Sequence, residues 1–497
     1  MTNTSPKHTE PLERTLYEQS VAGRRAITLP KADVPDAPLP DAQLRADNGL
    51  PELSESQIVR HYLRLSQMNF GVDSGFYPLG SCTMKHNPKI NEQLARLPGF
   101  ASIHPLQDAA TVQGALEIMH GLQEALKEIG GFAAASLQPV AGAQGELTAL
   151  LMIRACHADR GQAHRDRILV PDTAHGTNPA SARMAGFLAV EIPSDARGNV
   201  DIDAVRAACD DRLAGIMLTN PNTLGLFEER IGDIVELVHA AGGFVYGDGA
   251  NMNALTAVVR PGELGIDVMH FNLHKTFATP HGGGGPGSGP LGAGARLAEY
   301  LPGPVVEHDP AADPRYRFAR PERSIGRMTA FHGNFGMLVR AFAYIRALGA
   351  AGLRTNAADA VLNANYLRGR LKSEYPVPFD RLCMHEFVSE GRPEGSSARA
   401  IDISKRLMDF GFHPPTNYFP LIVREALMIE PTETETKETL DAFAEAMLQI
   451  AAEARDAPEK LREAPHATPV SRLDEVKAAR ERIVTDRAAR GSDGEIG

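Results

Sequence analysis

Residues 267–289 read D-V-M-H-F-N-L-H-K-T-F-A-T-P-H-G-G-G-G-P-G-S-G, an apolar run that leads through a lysine into a glycine-rich tract. The run Val268 to Leu273 predicts a strand, and the tract 282–285 is too rich in glycine for a helix or a strand. Lys275 therefore stands between a strand end and a loop whose backbone can approach another group closely. An amine in that position suits attack on a carbonyl carbon, although a single lysine is more often simply solvated.

Short apolar strands alternate with helical stretches along the middle of the chain. Helical spacing of apolar residues, as from Ile231 to Ala241, separates these segments. The predicted strands cover residues 168–170, 188–192, 215–218, 244–246 and 268–273. This alternation predicts an α/β fold with a largely parallel central sheet and helices on both of its faces.

Polar residues follow four of these strands where each strand ends. They are His175, Asn220, Asp248 and Lys275. The carboxyl ends of parallel strands form the edge at which open α/β sheets bind ligands. Each residue has a simpler interpretation as a turn former or a helix cap. Their repeated placement on one edge makes a common site the better joint explanation.

A glycine-rich turn precedes a further helical stripe. It reads A-G-A-Q-G-E over residues 141–146, and the stripe begins at Leu147. The first N–H groups of a helix are unpaired and lie at its positive end, so a phosphate would bind there. The spacing is that of neither a P-loop nor a dinucleotide fingerprint, and an ordinary capped helix start remains the alternative.

These residue types together suit pyridoxal phosphate (PLP). That cofactor needs a lysine for an imine, a carboxylate that keeps its ring nitrogen protonated, a flat partner for the ring and N–H donors for the phosphate. Lys275, Asp248, His175 and the turn at 141–146 could supply them in that order. We therefore predict PLP covalently bound to Lys275, with Lys275, His175 and Asp248 as the catalytic residues. The further candidate cofactor contacts are Ala143, Gln144, Asn220 and Thr276.

Composition divides the chain into four predicted parts. Residues 1–100 form an N-terminal arm and irregular segment, where proline and aspartate are frequent and no long apolar period is present. Residues 101–345 form the large cofactor-binding domain, and residues 346–478 form a smaller C-terminal α/β domain that closes over the site. Residues 479–497 form a charged tail. We expect an arm of this composition to be ordered only by lying on a partner.

One irregular segment, Asn69 to Asn87, is rich in glycine and aromatic residues. A long segment without a period inside a compact domain is usually functional or lies at an interface. Cys82 and Lys85 could be reactive there. A lone cysteine is nevertheless more often a small buried residue, and a lone lysine is more often solvated.

The predicted small domain contains an acidic run. Residues Met428 to Glu435 predict a strand followed by a helix, with Thr432 as the N-cap and Glu435 at the third helical position. On this interpretation Glu430, Glu433 and Glu435 serve the helix start rather than a metal ion.

Charge and composition exclude several classes of protein. The net charge of −11 over 497 residues argues against general nucleic-acid binding and against an anionic membrane surface. The four cysteines lie far apart, so we expect neither disulfides nor a metal site. No apolar run is expected to span a bilayer, and the first residues contain no apolar signal core. The expected location is cytoplasmic.

Several long motifs carry a resemblance to a known family. They are G-F-Y-P-L-G-S-C-T-M-K (75–85), A-G-A-Q-G-E (141–146), D-T-A-H-G-T-N-P-A-S-A (172–182), T-N-P-N-T-L-G-L-F-E (219–228), G-D-G-A-N-M-N-A (247–254) and N-L-H-K-T-F (272–277). In these segments the chain resembles the PLP-bearing second subunit of glycine dehydrogenase (decarboxylating), the P-protein of the glycine cleavage system. Two departures are His86 and His332, which stand where tyrosine is expected and could alter the edge of the site.

The resemblance implies a fold type I PLP-dependent enzyme. Members of the family bind glycine as an imine with PLP, release its carboxylate as carbon dioxide and pass the aminomethyl group to the lipoyl disulfide of the H-protein. It also implies pairing with a first subunit, as an alpha2beta2 assembly. We take His281 and Arg327 as candidates for substrate contact. The alternatives are another fold type I enzyme, such as an aminotransferase or a different amino-acid decarboxylase, and a non-catalytic paralogue, against which the intact Lys275 argues.

Overall fold

The computed structural model describes residues 13–35, 37–45, 48–281 and 287–485. The chain divides into two compact units, one of residues 75–462 and one that combines the residues up to 74 with those from 463 onward. The predicted loop at 282–285 and the last part of the predicted tail lie outside the described residues. The four predicted domain boundaries stay predictions.

The helices and strands are as follows. The helices are α1 (Glu55–Gln67), α2 (Lys89–Ala95), α3 (Pro98–Ala101), α4 (Gln113–Gly130), α5 (Gly142–Asp159), α6 (Thr177–Met184), α7 (Ile202–Ala208), α8 (Ile231–Ala240), α9 (Phe335–Leu371), α10 (Ala400–Asp409), α11 (Lys437–Asp456), α12 (Pro458–Arg462) and α13 (Glu475–Arg480). The strands are β1 (Ala134–Ser136), β2 (Arg167–Pro171), β3 (Leu188–Ile192), β4 (Leu213–Thr219), β5 (Phe244–Asp248), β6 (Val268–His270), β7 (Leu291–Ala293), β8 (Val305–His308), β9 (Tyr316–Ala319), β10 (Phe387–Glu390), β11 (Thr416–Asn417) and β12 (Ala426–Ile429).

Seven strands form the central sheet, in the order β1-β7-β6-β5-β4-β2-β3. The pairs among β2 to β6 are parallel, and β7 runs antiparallel to both of its neighbours. The prediction of an α/β fold with a largely parallel sheet is therefore confirmed. The register sets Thr219 beside Asp248, so β4 and β5 end at the same level.

Strand β6 is shorter than the apolar run that predicted it. It ends at His270, and residues from Phe271 to Lys275 leave the ladder. Phe271 and Leu273 are fully buried and their N–H groups donate to the carbonyls of Pro290 and Ser288. The apolar pattern here marks buried turns and not a longer strand.

Helices cover both faces of the sheet. Strand β4 is buried along its whole length, as expected of a parallel strand between two helical layers. On one face the core includes Leu122 of α4 and Ile234 of α8. On the other face Ile153 of α5 packs with Ala182 of α6.

A second core lies under the three-stranded antiparallel sheet β10-β12-β11. Helix α11 begins at Lys437, with Thr436 as its N-cap, whose hydroxyl accepts a hydrogen bond from Thr439 N. The prediction of Thr432 as the cap is therefore wrong. Thr432 has a positive φ of 63°, and the neighbouring glutamates face tertiary partners described below.

Among the described residues one helix, α9, is long and apolar enough by length and composition to cross a membrane, which the sequence did not lead us to expect. It is interrupted at Gly349, where φ is 60° and ψ is −175°. Leu338 before the break and Leu367 after it are fully buried in the two cores of residues 75–462. These are the contacts of a core helix.

In the other unit, Ser54 is the N-cap of α1, and its N–H group donates to Gln57 Oε1 at 3.1 Å. Glu13 accepts hydrogen bonds from His61 and Arg64 of this helix. The described residues before α1 contain only one short 3-10 helix, and large apolar side chains such as Leu29 are exposed. The predicted N-terminal arm stays a prediction.

Candidate active site

A cavity of about 460 Å³ lies at the carboxyl edge of the central sheet. Lys275, Asp248 and His175 all line it. Lys275 is partly buried and follows the end of β6 by five residues, whereas Asp248 is the last residue of β5. Three of the four strand-end residues predicted to form a site therefore meet in one cavity.

Asp248 is held as a buried carboxylate. Its side chain is 4% exposed, and it accepts hydrogen bonds from Asn178 Nδ2 at 3.0 Å and from Ala250 N at 2.9 Å. Burial opposes ionisation, but His270, His175 and the Asn178 bond outweigh it and lower the pKa of Asp248 to about 2. The cavity therefore presents a fixed negative charge near neutral pH.

His175 presents a flat ring to the cavity. Its Nε2 lies 2.9 Å from Ser81 Oγ, and its ring is parallel to Phe419, with the centroids 5.3 Å apart. Burial lowers the pKa of His175, which favours the neutral ring. These properties suit the predicted stacking role, which stays a prediction.

A second histidine sits deeper. Tyr246 OH lies 2.6 Å from His270 Nδ1, and Asn272 Nδ2 lies 2.6 Å from His270 Nε2. His270 Nε2 is also 3.7 Å from Asp248 Oδ1. This chain of polar contacts fixes the wall of the cavity behind Asp248.

The predicted phosphate turn opens α5 at the cavity. Gly142 and Ala143 line it, and a Cβ added at Gly142 would lie 2.5 Å from Asn272 Oδ1. A side chain at 142 would clash there, and the positive end of this 18-residue helix, where a phosphate would bind, lies at the cavity. Gln144 serves the turn itself, because its side chain accepts from Val140 N and donates to Met328 O, each at 2.8 Å.

Three predicted cofactor contacts, Gln144, Asn220 and Thr276, are not among the residues that line the cavity. Asn220 follows β4 directly, but its side chain accepts a hydrogen bond from Glu228 N at 3.1 Å. It therefore fixes the turn after the strand. Thr276 is 2% exposed, and its hydroxyl has no hydrogen-bond partner among the described residues.

The two substrate candidates differ in position. Arg327 is exposed and donates to Phe331 O at 3.2 Å, away from the lining residues. His281 is exposed, and its ring lies 5.3 Å from that of His274, which does line the cavity. Desolvation and the charge of Lys275 lower the pKa of His281.

Neither unusual histidine lines the cavity. His332 stacks on Phe318 with the ring centroids 4.1 Å apart, and His86 is exposed. That they could alter the edge of the site stays a prediction.

Several further residues of the site were not predicted from the sequence. Glu146 is buried in the cavity wall, where burial and the nearby Asp248 raise its pKa to about 7, and it accepts a hydrogen bond from Thr177 Oγ1 at 2.8 Å. His270 and Asn272 could have been found, because they are polar residues inside an apolar run. Ser81 and Phe419 come from remote segments and gave no such signal.

The residues present fit PLP. A lysine, a buried carboxylate, a flat neutral ring and the N-terminus of an 18-residue helix surround one cavity. This is the set of groups that the cofactor requires.

Comparisons with known proteins agree. The family model described as glycine dehydrogenase, C-terminal domain, matches residues 356–468, and the aminotransferase class-V model matches residues 110–284. The chain is 57% identical over 477 residues to the probable glycine dehydrogenase (decarboxylating) subunit 2 of Caldanaerobacter subterraneus, over 94% of this chain and 98% of that protein. It is 56% identical over 477 residues to the protein of the same name from Bacillus licheniformis, with the same two coverages.

Solved structures share the fold. Glycine decarboxylase (P-protein) of the glycine cleavage system, in inhibitor-bound form, matches with a TM-score of 0.70 and 22% identity, over 83% of this chain and 93% of that chain. Lactobacillus brevis glutamate decarboxylase matches with a TM-score of 0.63 and 14% identity, over 87% and 96%. The aminotransferase class-V match and this fold imply dependence on PLP. With relatives more than half identical along nearly their whole length, the chain belongs to the glycine dehydrogenase (decarboxylating) subunit 2 family.

Proposed function

We propose that this chain decarboxylates glycine with PLP and transfers the remaining aminomethyl group to the lipoyl disulfide of an H-protein. The observation that carries the proposal is the meeting of Lys275 and Asp248 in one cavity. Membership of the family supports glycine as the substrate. Bound PLP supplies an electron sink for the bond that breaks.

Lys275, Asp248 and His175 have separate roles in this proposal. Lys275 Nζ would hold the cofactor, and as a free amine it would carry protons. Asp248 would keep a proton on the cofactor's ring nitrogen, because a buried carboxylate favours a cation beside it. His175 would offer the flat partner for the ring. The glycine carboxylate loses water on entering the cavity, which favours its departure as neutral carbon dioxide.

Partners follow from the family. The relatives are named subunit 2, which implies a subunit 1 as partner. The resemblance supports an alpha2beta2 assembly and a lipoylated H-protein, and we place the enzyme in the cytoplasm. The exposed apolar side chains of the N-terminal arm, among them Ile27 and Leu29, support its binding to a partner protein.

Exchange of labelled bicarbonate into the carboxyl group of glycine tests the proposal. With subunit 1 and lipoylated H-protein present, we expect label in glycine at a rate that falls to background when the H-protein lacks its lipoyl group. Transfer of an amino group to a 2-oxo acid without any need for H-protein would instead identify an aminotransferase.

We expect Asp248→Asn to lower the exchange rate by about a hundred- to a thousandfold, the loss typical when one preorganised electrostatic partner is removed from an active site. The fold should tolerate the change. Asparagine can still accept from Ala250 N, and Asn178 can turn its amide because its Oδ1 has no other partner among the described residues. Exchange rate and thermal midpoint, measured together, check this. An exchange rate within threefold of wild type would exclude the assigned role.

A further inference from the structure

Two fully buried glutamates lie beside the cavity and have no part in the chemistry described so far. Glu386 directly precedes β10, and Glu430 directly follows β12. These strands pair antiparallel with Phe387 opposite Ile429, so the two carboxyl groups emerge together at one end of the sheet. Both side chains are 0% exposed. Burying two acids at one point is costly unless their oxygens are hydrogen-bonded.

Both glutamates accept hydrogen bonds from one short segment, residues 81–83. Glu386 Oε2 accepts from Ser81 N at 2.7 Å, and Glu430 Oε2 accepts from Thr83 N at 2.8 Å. Ser81 and Thr83 have positive φ angles of 64° and 49°, which are unfavourable for residues with a Cβ. Such a backbone persists only where its surroundings hold it, and here the two carboxyl groups do so.

The held backbone directs one side chain into the cavity. Ser81 Oγ lies 2.9 Å from His175 Nε2, while Ser81 N donates to Glu386. Because one residue makes both contacts, a shift of the Ser81 backbone would move its hydroxyl away from the His175 ring. Glu386 itself is further fixed by Asn251 Nδ2, which donates to its Oε1 at 3.1 Å.

We propose that Glu386 is a positioning residue that holds Ser81 so that the Ser81 hydroxyl fixes the His175 ring against the cofactor. The inference rests on the proposed function only in taking PLP as the group that His175 faces. It assigns a role in the site to a residue 305 positions from Ser81 in the chain. Glu386 acts through its neighbours and touches neither substrate nor cofactor.

The surrounding charges agree with this role. Burial and the nearby Glu430 raise the pKa of Glu386 well above its usual range, and burial raises the pKa of Glu430 to about 7. At least one of the two therefore carries a proton near neutral pH. A glutamine at 386 would then resemble the native side chain and keep an oxygen for Ser81 N.

A metal ion is not needed to explain why His385, Glu386 and Glu430 lie together. His385, Glu386 and Glu430 offer ligand atoms within 4.8 Å of one another. All four carboxyl oxygens, however, already accept hydrogen bonds from Ser81, Thr83 or Asn251. Burial lowers the pKa of His385 to about 3, so its neutral ring adds no charge.

A double-mutant cycle with PLP affinity as the readout tests the inference. Ser81→Ala should raise the dissociation constant for PLP about three- to tenfold, the range for one lost hydrogen bond. Glu386→Met should raise it at least as much. The double variant should lie within about twofold of the weaker-binding single variant, because both changes break the same connection. The visible circular dichroism of the bound cofactor should weaken in all three.

Two further variants keep the test decisive. Glu386→Gln should keep the dissociation constant for PLP within about threefold of wild type, because glutamine still offers an oxygen to Ser81 N. Glu386→Met has a side chain of similar size without that oxygen and should not. Tyr375→Phe removes one buried hydrogen bond, to Met447 O at 2.9 Å, in the same small-domain core and should leave PLP affinity unchanged. The inference would be overturned if the fold-changes of the two single variants multiplied in the double variant. An unchanged dissociation constant for PLP in Ser81→Ala would overturn it as well. Failure of the wild-type protein to bind PLP would instead reject the proposed function.

Discussion

The Lys275→Ala protein is expected to lose its visible absorption and at least about a thousandfold of its glycine–bicarbonate exchange rate, because both the covalent attachment and the proton carrier are removed. Lys275 is only partly buried at the cavity wall. Its loss should therefore change the free energy of unfolding by no more than about 0.5 kcal/mol. Absorption spectra, exchange assays and thermal unfolding of the same preparations measure the three quantities.

Lys275→Arg is the matched control, because a guanidinium keeps the positive charge but does not form the covalent bond. We expect it to be as inactive as Lys275→Ala. Borohydride reduction of the wild-type protein followed by peptide mass analysis should locate the cofactor on Lys275. A reduced adduct on another lysine would refute the assignment.

Lys85→Met is expected to cost about 3–5 kcal/mol of stability, the usual loss when one partner of a buried ion pair is removed. Lys85 is 3% exposed, and its Nζ donates to Glu433 at 2.7 Å, Asn253 at 2.9 Å and Tyr344 at 3.2 Å. Burial disfavours the charged amine, but Glu433 and Tyr344 outweigh it and raise the pKa of Lys85. Methionine fills the same space and leaves the carboxylate of Glu433 buried without its cation.

Chemical unfolding of the apoprotein, followed by circular dichroism, measures this loss. Lys372→Met provides the control, because its ion pair with Asp380, at 3.2 Å, is about half exposed and should contribute less than about 1 kcal/mol. Adding Glu433→Leu to Lys85→Met should recover part of the stability. Equal losses for the buried and the exposed lysine would contradict the role given to Lys85.

The sequence predicted the parts of the site that repeat a local pattern. Polar residues after buried strands identified His175, Asp248 and Lys275, since the carboxyl ends of parallel strands must meet at one edge. The same rule included Asn220, which follows β4 as expected. It failed there because strand order does not reveal whether a turn residue bonds to its own turn, as Asn220 does with Glu228.

Long-range pairing explains what could not be predicted. Lys85 looked like a solvated lysine, and Glu433 looked like part of a helix start, yet each is the other's buried partner across 348 positions of the chain. Glu386 gave no signal, because nothing near it in sequence shows that Ser81 will lie against it. Local spacing carries no information about such pairs, so only the folded chain reveals them.

The cavity walls combine residues from early and late parts of the chain, which has a consequence for how the enzyme matures. Lys275 and Asp248 are already present in a nascent chain of 345 residues, but such a chain lacks Phe419, Glu386 and Glu433. The N–H group of Ser81 then lacks the carboxyl group of Glu386, and Lys85 lacks the carboxylate of Glu433. Capture of the coenzyme should accordingly be a late event, completed only after synthesis has passed Glu433, and a protein truncated at residue 345 should stay colourless.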